Sequence, residues 1–206
     1  MDFSQVKDFG DFVLIPEGTV VEAKITKVSV GYGKSDKTKT VMTMECAVET
    51  PEYIGAVITD HITLAGGDPG ILELNKSKIK RMLEYGKGAN PSNLAAYIIP
   101  EVTNPQGKSI PKWSELNGIK IGFQIKLDSF ISNKTGKKLF SNKVGAYASK
   151  NPESGGYKFF DAIAKGIQPW QKPLPDMNSQ QTSNSQLVGS NDFEQPPIEA
   201  YSDGRF

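Results

Sequence analysis

Ile119-Lys120-Ile121-Gly122-Phe123-Gln124-Ile125-Lys126-Leu127-Asp128-Ser129-Phe130-Ile131 is the stretch that decides how this chain folds. Ile119, Ile121, Phe123, Ile125, Leu127 and Ile131 alternate with Lys120, Gln124, Lys126 and Phe130, the period-two pattern of a strand with one buried face. Asn133-Lys134-Thr135-Gly136-Lys137-Lys138 follows as a hairpin turn, and residues 139–148 return as the partner strand.

Three further strands precede this pair. Residues 19–30 carry Val21, Ala23 and Ile25 on one face, and the apolar positions then change phase to Val28 and Val30. A bulge or sharp bend produces such a change, and barrels need bends. Residues 40–49 place Met42, Met44, Cys46 and Val48 inward, against Thr43, Glu45 and Ala47 outward. Residues 56–64 put Ile58, Ile62 and Leu64 on one face and His61 on the other. Gly66-Gly67-Asp68-Pro69-Gly70 reads as a break, and a helix follows. Asn75 is its predicted N-cap, Leu74 and Ile79 its hydrophobic staple, and Gly86 its end. Residues 91–98 suggest a short helix, residues 100–112 hold three prolines and read as mostly loop, and residues 157–165 suggest a closing helix. The sum is a mainly β chain: a five-stranded OB-fold-like barrel with an inserted helix and loops. The same elements fit another small barrel or a sandwich.

Composition bounds the chemistry. The chain has 206 residues, 37% hydrophobic and 23% charged, with one cysteine, Cys46, and one histidine, His61. A disulfide framework and a Cys/His zinc site are excluded, as are schemes that need a second histidine. Carboxylates are scattered, which speaks against a metal-dependent nuclease. No run approaches the roughly 18 apolar residues of a membrane helix. The start, Met1-Asp2-Phe3-Ser4, lacks the basic and apolar regions of a signal peptide. The expectation is a non-enzymatic cytoplasmic protein without cofactor, metal or membrane contact.

The net charge of +1 is uneven. Residues 76–143 hold thirteen Lys/Arg against Glu84, Glu101, Glu115 and Asp128, a net +9. Residues 171–206 hold two basic residues against five acids. A basic middle and an acidic end suit a polyanion partner and a segment that mimics it. Residues 1–170 are read as the binding domain. Residues 171–190, rich in Ser, Asn and Gln, have too little apolar surface to offset the entropy of ordering and are read as a linker. Residues 191–206 mix Asp192, Glu194, Glu199 and Asp203 with Phe193, Tyr201 and the terminal Phe206, the texture of a short interaction motif on a tether.

Two basic-aromatic loops carry the binding chemistry. Tyr32 sits between glycines beside Lys34, Lys37 and Lys39; Phe130 shares a strand face with Lys126, and Lys134, Lys137 and Lys138 follow at the hairpin tip. Lysines meet phosphates, and aromatic faces stack on any base. In an OB-fold the loops after the first and fourth strands frame the nucleic-acid face, and these loops hold those two places. Lys78 and Arg81 on the inserted helix, Trp113, Lys143 and Tyr147 complete the candidate set. Alternation alone leaves Phe130, Phe140 and Trp113 open between groove and core, and His61 reads as an ordinary surface residue.

With these features the chain resembles bacteriophage single-stranded-DNA-binding proteins. The opening Phe12-Val13-Leu14-Ile15-Pro16-Glu17-Gly18-Thr19, the segment Leu74-Asn75-Lys76-Ser77-Lys78-Ile79 and an acidic end closing on Phe206 carry the resemblance. The spacing of the acids and Arg205 before Phe206 depart from the family pattern. The resemblance implies cooperative, sequence-tolerant coating of single-stranded DNA in replication and recombination. It also implies contacts between the tail and replication or recombination proteins, and leaves room for a homo-oligomer. The rival expectation is a small β-barrel protein-interaction module for phage assembly or host takeover.

Removal of residues 171–206 is expected to leave the domain folded and its affinity for single strands unchanged or raised, because an acidic tether competes with phosphate. Loss of binding with unchanged circular dichroism would place the tail in the binding surface.

Overall fold

The computed structural model describes residues 13–33, 36–103, 107–133, 136 and 138–175. Five antiparallel strands form one sheet: β1 (Val20–Tyr32), β2 (Thr40–Val48), β3 (Val57–Ala65), and, numbered in chain order after a small hairpin, β6 (Lys120–Ile131) and β7 (Lys138–Tyr147). Their order is β3-β2-β1-β6-β7. Helix α1 (Pro69–Gly86) lies between β3 and β6 in the chain, and α2 (Tyr157–Lys165) follows β7. This is a mainly β, OB-like arrangement.

β1 is the shared strand. Its first half pairs with β6, from Val20 opposite Gln124 to Lys24 opposite Lys120; from Ala23 onward it pairs with β2. The β1–β2 register shifts between Ile25 and Lys27, so the change of apolar phase in the sequence is a bulge. Val21, Ala23 and Ile25 are fully buried before it; Val28 is half-buried and Val30 exposed after it. Met42, Met44, Cys46 and Val48 of β2, with Ile58 and Ile62 of β3, fill the same core. Burial, with the Asp60 carboxylate as the smaller cause, pushes the Cys46 thiol up to about 12, so this cysteine is a packing residue.

The two edge strands are tied by side chains. Tyr147 of β7 donates its hydroxyl to Asp60 Oδ2 of β3 at 2.8 Å. Burial first, then the Asp60 charge, keeps the phenol protonated by raising its pKa well above the usual value. Two amide side chains act where backbone pairing stops. Asn142 Nδ2 donates to Ile15 O and its Oδ1 accepts from Ile15 N; Gln168 Nε2 donates to Val20 O and its Oε1 accepts from Val20 N. Each amide mimics a neighbouring strand.

Both helices pack on β6 where it has no side chain. A Cβ on Gly122 would stand 2.6 Å from Tyr85 Cε2 of α1 and 2.8 Å from Ile163 Cδ1 of α2. Tyr85 is buried there and donates to Glu22 Oε2 at 2.7 Å. Glu84, one residue earlier, is buried yet satisfied by the Tyr97 hydroxyl at 2.9 Å, Ser149 Oγ at 2.5 Å and Asn151 Nδ2 at 3.2 Å.

Four expectations are corrected. The helix starts at Pro69, with Asp68 capping Gly70 and Ile71 N–H groups through its side chain. Pro favours the first helical position, so the presumed break is a start signal. Asn75 is therefore inside the helix, buried and bonded to Thr63 O, and Leu74 is exposed rather than part of a staple. Residues 100–112 are not all loop: β4 (Glu101–Thr103) and β5 (Ser109–Pro111) form a two-stranded hairpin, which alternation over three residues is too short to announce. The short helix expected over 91–98 is a 3-10 turn, Leu94–Tyr97. Finally, the buried row of β6 stops at Ile125; Leu127 is half-buried and Ile131 is 69% exposed, because β6 loses its β1 partner there and continues with β7 as a ribbon.

Tyr147→Phe should lower stability by about 1–3 kcal/mol, the cost of leaving a charged acceptor without its donor, while the folded fraction keeps its binding. Chemical denaturation checks this; unchanged stability would mean that the bond to Asp60 does not hold the edges together.

Candidate nucleic-acid interface

Two surfaces carry the loops singled out in the sequence. The first is a groove of about 480 Å³ on the β1–β2–β3 face, lined by Val30, Tyr32, Asp36, Lys39, Val41, Thr43, His61 and Thr63 among others. Register explains the assembly: Ser29 pairs with Thr43, Thr43 with His61, and Val41 with Thr63, so their side chains share the outward face of three adjacent strands. Tyr32, opposite Thr40 at the end of β1, also lines the groove and is 79% exposed. Gly31 and Gly33 beside it leave the ring uncrowded.

The groove is less basic than its sequence. Lys39 is 3.2 Å from Asp36, whose carboxylate also accepts from Thr38 N at 3.0 Å and Thr38 Oγ1 at 2.5 Å. These hydrogen bonds, the Thr38 hydroxyl first, hold Asp36 below the usual carboxylate range. Lys37 is exposed and has no ion pair among the described residues; Lys34 lies outside them. His61 Nδ1 and Thr43 Oγ1 are 2.9 Å apart, so the ring is oriented in the groove wall. The sequence places Thr43 and His61 outward without assigning them a role, and does not single out Thr63; that three strands bring them to one groove is a matter of register.

The second surface is the β6–β7 ribbon. Lys126, Asp128 and Phe130 of β6 lie on one face, opposite Lys143, Ser141 and Leu139 of β7. Phe130 is 51% exposed and is not covered by α2. Lys143 pairs with Asp128, whose carboxyl this hydrogen bond holds low, whereas Lys126 has no ion pair among the described residues. On the other face Lys138 sits 5.4 Å from the Phe140 ring centroid, a cation-π contact that leaves its charge unneutralised. Lys134 and Lys137 lie outside the described residues, as do Asp192, Phe193, Glu194, Glu199, Tyr201, Asp203 and Phe206 of the tail and Phe12 of the opening segment. β6 runs antiparallel to β1, so the ribbon leaves the opposite end of the sheet from the Tyr32 loop.

Other candidates sit elsewhere. Tyr147 is buried in the core seam and leaves the set. Trp113 opens a 3-10 turn, Trp113–Leu116, and packs half-buried against the main core, because buried Leu116 pulls the turn inward. Arg81 lies against Gly155 and Gly156 before α2, and Lys78 precedes it by about one turn on the helix; neither lines a groove described here. Among the described residues no group of three or more His, Cys, Asp or Glu is placed to hold a metal ion, and no helix is long and apolar enough to cross a membrane.

No family model matches the chain, and no curated protein matches it. Among solved structures it is similar to a chain of yeast RPA bound to ssDNA, at 10% identity and a TM-score of 0.31, over 79% of this chain and 93% of that one. Strand order and register, not this likeness, define the fold.

Phe130→Ala is expected to weaken single-strand binding by about 1–3 kcal/mol, the range of base–aromatic stacking, and to leave the melting temperature nearly unchanged because the ring is half in solvent. A large loss of stability with unchanged binding per folded molecule would make Phe130 a packing residue.

Proposed function

We propose that the chain binds single-stranded DNA with little regard to sequence. The observation that carries this reading is the pairing of exposed rings with lysines that have no ion pair among the described residues, at both ends of the sheet: Tyr32 with Lys37, and Phe130 with Lys126 on one face of the ribbon. An exposed aromatic on a strand end costs apolar hydration, and a base stacked on it removes that cost. The groove between β1 and β3 is walled by Tyr32, Val30, Val41 and threonines, with its one described lysine already paired, so it suits bases more than phosphates. Lysines on the ribbon suit the backbone.

In this reading the protein coats strands during phage DNA replication and recombination, without catalysis of its own. Residues 191–206 recruit replication proteins by docking their aromatics, with the acids meeting a basic rim. That part rests on the resemblance of the sequence.

A second reading has its own observation. Val102 and Ile110 face each other across the β4–β5 hairpin, both exposed, with Leu94 and Ile98 exposed on the approach to it. Such a patch favours a protein partner, and a protein-interaction module would use it alone.

The deciding experiment is a titration of a labelled oligo-dT by fluorescence anisotropy across a salt series. Affinity should fall steeply, each phosphate contact adding about −0.7 to the slope of log K against log salt. Lys126→Ala with Lys138→Ala should weaken binding equally for all sequences and make the slope shallower. No binding at low salt would leave the interaction module as the reading.

A further inference from the structure

The sequence places the end of the domain near Trp170, yet the structure holds the chain beyond it. Gly18, at φ +84°, lets the Trp170 carbonyl oxygen come within 1.8 Å of the place a Cβ would occupy. Gln168 clamps Val20, and Lys172 N donates to Glu17 O at 2.8 Å. Residues 168–172 are thus strapped across the start of β1, and the indole has a fixed position. It meets Phe159 edge to face at 5.2 Å, has Lys158 Nζ 5.8 Å from its ring centroid, and remains half-buried.

Opposite the strap, β7 carries a bulge. Gln124 pairs with Ala146 and Ile125 with Val144, so Gly145 is the extra residue, and it has no side chain to fill the space above Lys126. The result is a cleft of about 310 Å³, near the lower end of small-ligand sites, bounded by Trp170, Lys172, Lys126, Gln124, Gly145 and Glu17. Lys126 and Phe130 lie on the same face of β6, separated by four residues, roughly 13 Å of strand. The cleft therefore continues the face that carries Phe130.

We propose that this cleft is a nucleotide subsite for single-stranded DNA: a base rests against Trp170, and Lys126 and Lys172 meet the phosphates on either side. Lys172 must exchange Glu17, 3.4 Å away, for phosphate, and both side chains are exposed enough for that exchange to be weakly opposed. The DNA path then runs from the ribbon face toward the strap of residues 168–172. The inference rests on the single-strand-binding reading and adds a position to it.

The test uses the full chain with Trp113→Phe, which leaves Trp170 as the single indole. Anisotropy of a labelled oligo-dT reports binding; Trp170 emission and its protection from iodide report the cleft; and irradiation of a complex with 5-iodouracil-substituted oligo-dT, followed by peptide mapping, reports contact. We expect quenching and protection that saturate with the anisotropy, a crosslink in the peptide holding Trp170, and a roughly 5- to 150-fold affinity loss in Trp170→Ala, as for one lost stack. Lys172→Ala, which touches no core, should weaken binding and make the salt slope shallower even if Trp170→Ala fails to fold. Normal anisotropy with unchanged emission and no crosslink at Trp170 overturns the subsite while single-strand binding stands. Absent anisotropy change overturns both.

Discussion

Strand β1 has to serve two neighbours at once, and the rest of the molecule depends on that. Its first half is hydrogen-bonded on both edges, to β6 and then to β2, and its second half to β2 alone. A straight strand cannot keep one apolar face buried through such a change of company. The bulge between Ile25 and Lys27 resolves the conflict by letting the side-chain phase reset. Val21, Ala23 and Ile25 belong to the core, while Ser29 and Gly31 face the outer groove whose end Tyr32 lines. β6 loses its β1 partner past Ile125 for a separate reason: β1 begins at Val20, opposite Gln124, and β6 runs on beyond it with β7 as the ribbon that presents Phe130.

Side chains finish what the backbone ladder leaves open. Asn142 and Gln168 complete the pairing of Ile15 and Val20, Tyr147 and Asp60 join the sheet edges, and Glu84 ties α1 to the Leu94–Tyr97 turn and to the segment after β7. Each of these is a polar group brought out of water with its partner in place, the condition under which burial of polar atoms is tolerated. Sequence separations of 127 and 148 residues across the two amide clamps bind the start of the domain to β7 and to the segment after α2.

The electrostatics of the surface follow from partner choice more than from composition. A net +9 over residues 76–143 suggests a continuous basic stripe, but Lys120 is shared by Glu22 and Glu49, Lys112 is held by Glu115 and Lys143 by Asp128. The two carboxylates beside Lys120, Glu49 first, raise its pKa, so this lysine is committed to a structural cluster. Lys126 and Lys138 on the ribbon and Lys37 in the loop have no ion pair among the described residues, although the Lys126 charge is felt by Asp128.

Local patterning in the sequence is enough for the five strands, most of their inward rows up to Ile125 in β6, the bulge in β1, the β6–β7 hairpin and the closing helix Tyr157–Lys165. These are local properties: period-two alternation and turn residues act over a few neighbours. The long α1 was half legible, since Asp68-Pro69 can be read as a break or as a cap, and only the helix that follows decides which. What tertiary structure alone decided was which side chains meet. Tyr147 and Trp113 carry the same kind of aromatic signal as Tyr32 and Phe130, yet the first two are packed inward. Alternation specifies two faces of a strand, and which of them stays in water depends on the elements packed later against it. His61 and Trp170 show the converse: neither has a motif around it, and register in one case and a glycine-permitted crossing in the other bring them to a groove wall.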